Sequence, residues 1–122
     1  MKPVFKLIVA GGRDFNDVDR IVQEGYGLMV NELKAFQVVI VQGEARGADK
    51  CAHLAAQRLH LVCDSYPADW NTHGKAAGHI RNKQMADIAH GLLAFWDGES
   101  KGTANMIETM QKLNKNVRIR YY

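Results

Sequence analysis

A chain of 122 residues, 47% hydrophobic and 24% charged, has ordinary globular composition and room for one domain over residues 1–122, which excludes wholesale disorder. Its formal charge of +3 admits an anionic ligand without demanding a nucleic acid. Cys51 and Cys63 cannot build a disulfide framework, and no Cys or His spacing suggests a metal. No apolar run reaches bilayer length, and Gly11 interrupts the opening before a signal-peptide core develops, so a soluble cytoplasmic protein without cofactor or metal is expected.

Val4 to Ala10 is a short apolar run ending at Gly11-Gly12, the pattern of a buried strand entering a tight turn. Val18, Val22, Tyr26, Met29 and Leu33 then recur at helical spacing behind a cap at Asn16 or Asp17. Gly25 and Gly27 inside that helix suggest a bend or a close helix contact. Val38 to Val41 is a β-branched strand, and Ala48, Cys51, Ala52, Ala55 and Leu59 form a small-residue stripe that lets a helix lie close to a sheet. Leu61 to Tyr66 is a third strand, stopped by Pro67, and a helix follows from about Lys75 to Ala89. Gly91 to Trp96 is a fourth strand. Gly102 to Leu113 is a helix with Ile107, Met110 and Leu113 inward, and Asn116 to Tyr121 alternates as an edge strand with one wet face.

Five strands alternating with four helices imply right-handed crossovers and an α/β, Rossmann-like three-layer sandwich. The sheet is expected to be five-stranded and mostly parallel, in the order 3-2-1-4-5. Ligands of such sheets sit beyond the carboxyl ends of the strands, where strand order reverses, so the loops after the strands hold the candidate site.

Gly11-Gly12-Arg13-Asp14 allows a sharp turn and supplies a forked donor for phosphate or carboxylate, although a plain βα turn with a surface Arg–Asp pair reads the same way. Gly43-Glu44-Ala45-Arg46-Gly47-Ala48-Asp49 repeats the glycine, arginine and acid make-up. After the third strand, Trp70 offers a flat face for a base or cation, or else a core plug. Lys75, His79, Arg81 and Lys83 gather positive charge there, with Asn82 beside them. Asp97, Gly98, Glu99, Ser100, Lys101, Gly102 and Thr103 open a helix with N–H groups and hydroxyls suited to a phosphate. There is no GxGxxG fingerprint and no Walker loop.

GGRDF at 11–15, GEARGAD at 43–49, PADW at 67–70, GKAAGHIRNKQM at 74–85 and FWDGESKGT at 95–103 together resemble the YspA/YpsA-related family of bacterial and phage proteins. That family lies within the SMF/DprA–LOG (SLOG) superfamily of Rossmann-like domains. The resemblance spans Val4 to about Leu113 and implies a nucleotide-type pocket at the strand ends. In the LOG branch, whose members are phosphoribohydrolases, an Arg-Lys pair precedes a Met, and a PGGxGTxxE loop supplies a catalytic Glu. Here Arg81, Asn82 and Met85 stand at the first three positions and Gly102-Thr103 at the GT, while the glutamate's position is Met106. Methionine can neither stabilise an oxocarbenium-like charge nor activate water.

The expectation is therefore a small domain that binds a nucleotide or nucleotide-derived ligand through Gly11, Gly12, Arg13, Asp14, Gly43, Arg46, Gly47, Asp49, Trp70, Lys75, Arg81, Asn82, Asp97, Gly98, Ser100, Gly102 and Thr103. If a reaction is catalysed, Asp14, Glu44, Asp97 and Glu99 are the candidate carboxylates. A phosphoribohydrolase-like hydrolase and a DprA-type single-stranded DNA binder are the alternatives. The weak net charge and scarce aromatics speak against the second. The last strand and the first helix are candidate homodimer surfaces, although a basic edge strand equally guards against pairing.

Overall fold

The computed structural model describes residues 1–122. Its order is β1 (Val4–Gly11), α1 (Val18–Asn31), β2 (Gln37–Gln42), α2 (Ala48–Arg58), β3 (Val62–Ser65), α3 (Trp70–His73), a 3-10 turn (Gly74–Ala76), α4 (Ala77–Ile88), β4 (Gly91–Trp96), α5 (Lys101–Lys112) and β5 (Asn116–Tyr121). The five strands form one sheet in the order β3-β2-β1-β4-β5, and every pairing is parallel. The expected order is met, and the sheet is wholly rather than mostly parallel.

Period-two alternation sorts the strand residues onto two faces. Leu7, Val9, Val38, Ile40, Leu93 and Phe95 share one core with α1 and α2. Ile8, Ala10, Val41, Leu92 and Ala94 share the other with α4 and α5. Helices on both faces explain why the central strands read as continuous apolar runs. The small residues Ala48, Cys51, Ala52, Ala55 and Ala56 are all buried on α2, as close helix–sheet packing requires. Both cysteines are free, and no helix is long and apolar enough to cross a membrane.

Local expectations are met in some places and corrected in others. The buried side of α1 centres on Ile21 and Gly25, and Tyr26 is 58% exposed. A Cβ on Gly25 would lie 3.4 Å from Leu59 Cδ1, so this glycine is a close helix contact, whereas Gly27 faces open space. Asp17 is the cap of α1, its side chain accepting from the Arg20 N–H at 3.0 Å. Leu113 lies past the end of α5 and is exposed, because the chain leaves the helix through Asn114 at φ +56. The segment before α4 is helical rather than open loop: Asp69 caps α3 by accepting from the Thr72 N–H at 3.1 Å. Trp70 is not a core plug, being 53% exposed.

β5 is an edge strand, with Val117 and Ile119 against the core and its arginines on the other face. Those arginines are not free: Arg118 pairs with Glu32, and Arg120 Nε meets Glu24 Oε2 at 2.9 Å, latching the strand to α1.

Candidate functional site

The strand order reverses between β1 and β4, and the loops beyond that point enclose a cleft of about 960 Å³. All four segments singled out in the sequence reach it. Gly11, Gly12, Arg13 and Asp14 come from the end of β1, and Gly43, Glu44, Arg46 and Asp49 from the end of β2. Trp70, Lys75, Arg81 and Asn82 come from the β3–α4 connection, and Asp97, Ser100, Gly102 and Thr103 from the start of α5. Gly47, Gly98 and Glu99 lie outside the lining. Lys83 points elsewhere and pairs with Asp87.

Gly47 has a different task from the one expected of it. Its φ is +77, and a Cβ there would collide with the Gly12 carbonyl and the Arg13 backbone. The Ala48 N–H donates to the Gly12 carbonyl at 3.1 Å in the same place. Gly47 thus lets the first and second loops nest. Gly11 and Gly12 are also spatially required: a Cβ on Gly11 would strike the Phe95 carbonyl, and one on Gly12 the Tyr122 hydroxyl.

Asp49, 6% exposed, turns back from the first turn of α2 so that Oδ2 accepts from the Gly43 and Ala45 N–H groups at 3.1 and 3.2 Å. Burial pushes its carboxyl above the usual range, and those two hydrogen bonds and the Arg81 charge only partly offset this. Arg81 donates from Nη1 to the Gly43 carbonyl and from Nε to Asn82 Oδ1 at 3.1 Å. A side chain on Gly43 would occupy the guanidinium's place. Burial lowers the Arg81 pKa, opposed by Asp49 and aided by Arg13, and arginine stays charged nonetheless.

Asn82 is buried and donates from Nδ2 to the Gly102 carbonyl at 3.2 Å and to Asn105 Oδ1 at 2.9 Å. It therefore ties α4 to the first turn of α5. Asp97 sets the other side of that turn: its Oδ1 accepts from Glu99 and Ser100 N–H at 2.9 and 2.8 Å, and these bonds hold its pKa below the usual carboxylate value. Trp96 Nε1 adds a bond to the Ser100 carbonyl at 3.1 Å. The N–H groups of Lys101, Gly102 and Thr103 take no partner within the protein.

The electrostatics are uneven in a telling way. Arg13, Arg46, Lys75, Arg81 and Lys101 all line the cleft, and none of the five ion pairs of the chain involves any of them. Of the four acids in the lining, Asp14 accepts from the Tyr122 hydroxyl at 2.5 Å, while Asp49 and Asp97 accept from backbone N–H groups. Glu44 alone has no partner for its carboxylate. The cleft thus offers charged donors and unpaired N–H groups to an anion.

The sequence reading missed Ala10, Ala45, Pro67, Ala68 and Gly78 as lining, and it met Met85 and Met106 only through the LOG resemblance. Apolar residues between polar ones carry no signal of their own, and only the helical spacing of Gly78, Asn82 and Met85 with Arg81 gives them away. Met106 is buried on the cleft floor, so no carboxylate stands there.

Comparison with known proteins agrees with this architecture. The family described as the YspA, cpYpsA-related SLOG family matches residues 5–73. The "Gene 61 protein" of Mycobacterium phage D29 is 30% identical over 118 residues, covering 88% of this chain and 89% of that protein. DNA processing protein A from Streptococcus pneumoniae is similar in fold, with a TM-score of 0.72 at 18% identity over 95% of this chain and 50% of that one. DNA processing protein A from Helicobacter pylori gives 0.64 at 19% identity over 94% of this chain and 64% of that one. The chain therefore spans half to about two thirds of those structures, and at such identities the likeness is one of fold.

Proposed function

Starting from the chain's membership of the YspA, cpYpsA-related SLOG family, we propose that its cleft binds a small nucleotide or nucleotide-derived anion. The observation that carries this reading is the segregation of charge. Five cations without a carboxylate partner meet the unpaired N–H groups of α5 in one cleft, while every ion pair lies outside it. Phosphate is suited to the α5 terminus, where the helix dipole and N–H groups favour an anion, with Arg13 and Lys101 adjoining. Trp70 stands exposed at the cleft wall, over Gly78, as a face on which a base can stack.

Binding rather than N-glycosidic hydrolysis is the reading the acids favour. Met106 occupies the expected glutamate's place, and of the four lining acids Asp14, Asp49 and Asp97 are each tied to an internal donor, which leaves Glu44 as the one unengaged carboxylate. Helicobacter DNA processing protein A has a described single-stranded DNA binding mode, so an oligonucleotide belongs in the test.

The test is a thermal-shift panel of nucleoside mono-, di- and triphosphates, inorganic phosphate and a single-stranded oligonucleotide. A ligand at a hundred times its Kd adds about 2.7 kcal/mol of stability, a readily measured rise in Tm. Arg13→Ala and Lys101→Ala, both at exposed residues outside every ion pair, should lose most of that rise while leaving the unliganded Tm unchanged. No response to any nucleotide overturns the proposal. A response confined to the oligonucleotide replaces it with strand binding.

A further inference from the structure

Glu44 holds an unfavourable backbone conformation at the edge of the cleft. Its φ is +58, in the left-handed region that side-chain-bearing residues rarely adopt. Three successive N–H groups fix it there. Gly43 and Ala45 donate to Asp49, and Glu44 itself donates to Gln42 Oε1 at 2.5 Å. Gln42 is in turn anchored through Nε2 to Ser65 Oγ at 2.7 Å. Two buried side chains thus hold one residue in strain and present its exposed carboxylate, which has no partner within the protein, at the cleft edge. Strained residues of this kind gather where a side chain must be aimed at a ligand.

Strand order then says which part of a ligand Glu44 meets. Along the sheet edge the loops succeed one another as β3, β2, β1, β4. They present the Pro67–Trp70 wall, then Glu44, then Arg13, then the first turn of α5. Adjacent strands lie about 4.8 Å apart, so the row extends over roughly 14 Å. An aromatic face, an acceptor and an anion site in that sequence match base, sugar and phosphate. A carboxylate only accepts hydrogen bonds and repels phosphate, so at this place in the row, between the aromatic wall and the anion site, it suits the vicinal hydroxyls of a sugar.

We infer that Glu44 takes the cis-diol of a ribose and makes the cleft selective for ribonucleoside phosphates over their 2′-deoxy counterparts. The inference rests on the nucleotide reading above. The test is titration calorimetry of the full chain with the four ribonucleoside 5′-monophosphates and the matching 2′-deoxy compounds. Losing one hydrogen bond to a charged acceptor should weaken the deoxy compound by about tenfold or more. Glu44→Gln and Glu44→Gly should collapse that ribo-to-deoxy ratio towards one, and Glu44→Gly should raise the unliganded Tm by relieving the left-handed φ.

Equal affinity for ribo and deoxy forms in the unaltered protein overturns the inference and leaves nucleotide binding standing. A ratio that survives both substitutions does the same, and so does selectivity that follows the base rather than the sugar. If no nucleotide of either sugar binds, this inference falls together with the reading it rests on.

Discussion

Tyr122 stands over Gly12, its hydroxyl donating to Asp14 Oδ1 at 2.5 Å and its ring edge-on to Phe15 at 4.9 Å. This one side chain both explains Gly12 and occupies Asp14, two residues the sequence offered for a ligand. Burial, seconded by the Asp14 bond, pushes the phenol above its ordinary pKa of 10.0, so the folded state keeps its proton longer than the unfolded chain does. The sign follows from linkage: the contribution is fully present below about pH 10 and is lost as pH rises further. Tyr122→Phe should therefore cost about 1 kcal/mol at neutral pH, a value kept small by solvent screening. Its melting curve should converge on that of the unaltered protein in alkali, and a gap that does not narrow above about pH 10 contradicts this role. The two glycine loops were legible as special, but their purposes were not. A φ of +77 at Gly47 and the collision a side chain would make there depend on a segment some 35 residues earlier, which no local pattern encodes.

At the scale of elements, the site is held together where α4 meets α5. Asn82 accepts from Arg81 and donates to the Gly102 carbonyl, so the guanidinium and the free N–H groups of α5 share one tether. Asn82→Ala should destabilise the fold by about 1–3 kcal/mol, because it leaves buried partners unsatisfied. It should also weaken any anion bound at α5, seen as a rise in Kd beyond that of a similarly destabilising core variant. A loss of stability with unchanged Kd would make Asn82 only a structural tie. β1 and β2 were legible because β-branched runs halted by a glycine admit few other readings, and β4 and β5 match their expected bounds residue for residue. The inward face of α1 was not, since its centre includes Gly25, which adds nothing to a hydrophobic pattern yet is buried beside Leu59 at the end of α2. The α3 turn was signalled only by the Asp69 cap, a weak mark inside a polar stretch.

Across the whole molecule, the modest charge of +3 conceals a partition. Pairs such as Arg58–Asp19, Arg118–Glu32 and Arg120–Glu24 lie away from the cleft, and the cleft cations are in no ion pair. Sequence alone placed the cations after the right strands, because a parallel sheet in this order brings those loops to one edge. It could not tell which acids were already engaged, since Asp49 and Asp97 are satisfied by backbone groups whose direction only the folded loop defines. We propose that this edge receives a nucleotide-type anion. Amide chemical-shift mapping of the 122-residue chain during titration with a ribonucleoside 5′-monophosphate tests it most directly. The largest shifts are expected at Arg13, Asp14, Glu44 to Arg46, and Lys101 to Thr103, saturating together. Shifts centred on the groove between α1 and β5, lined by Gln23, Glu24 and Arg120, or no saturable shift at all, would contradict it.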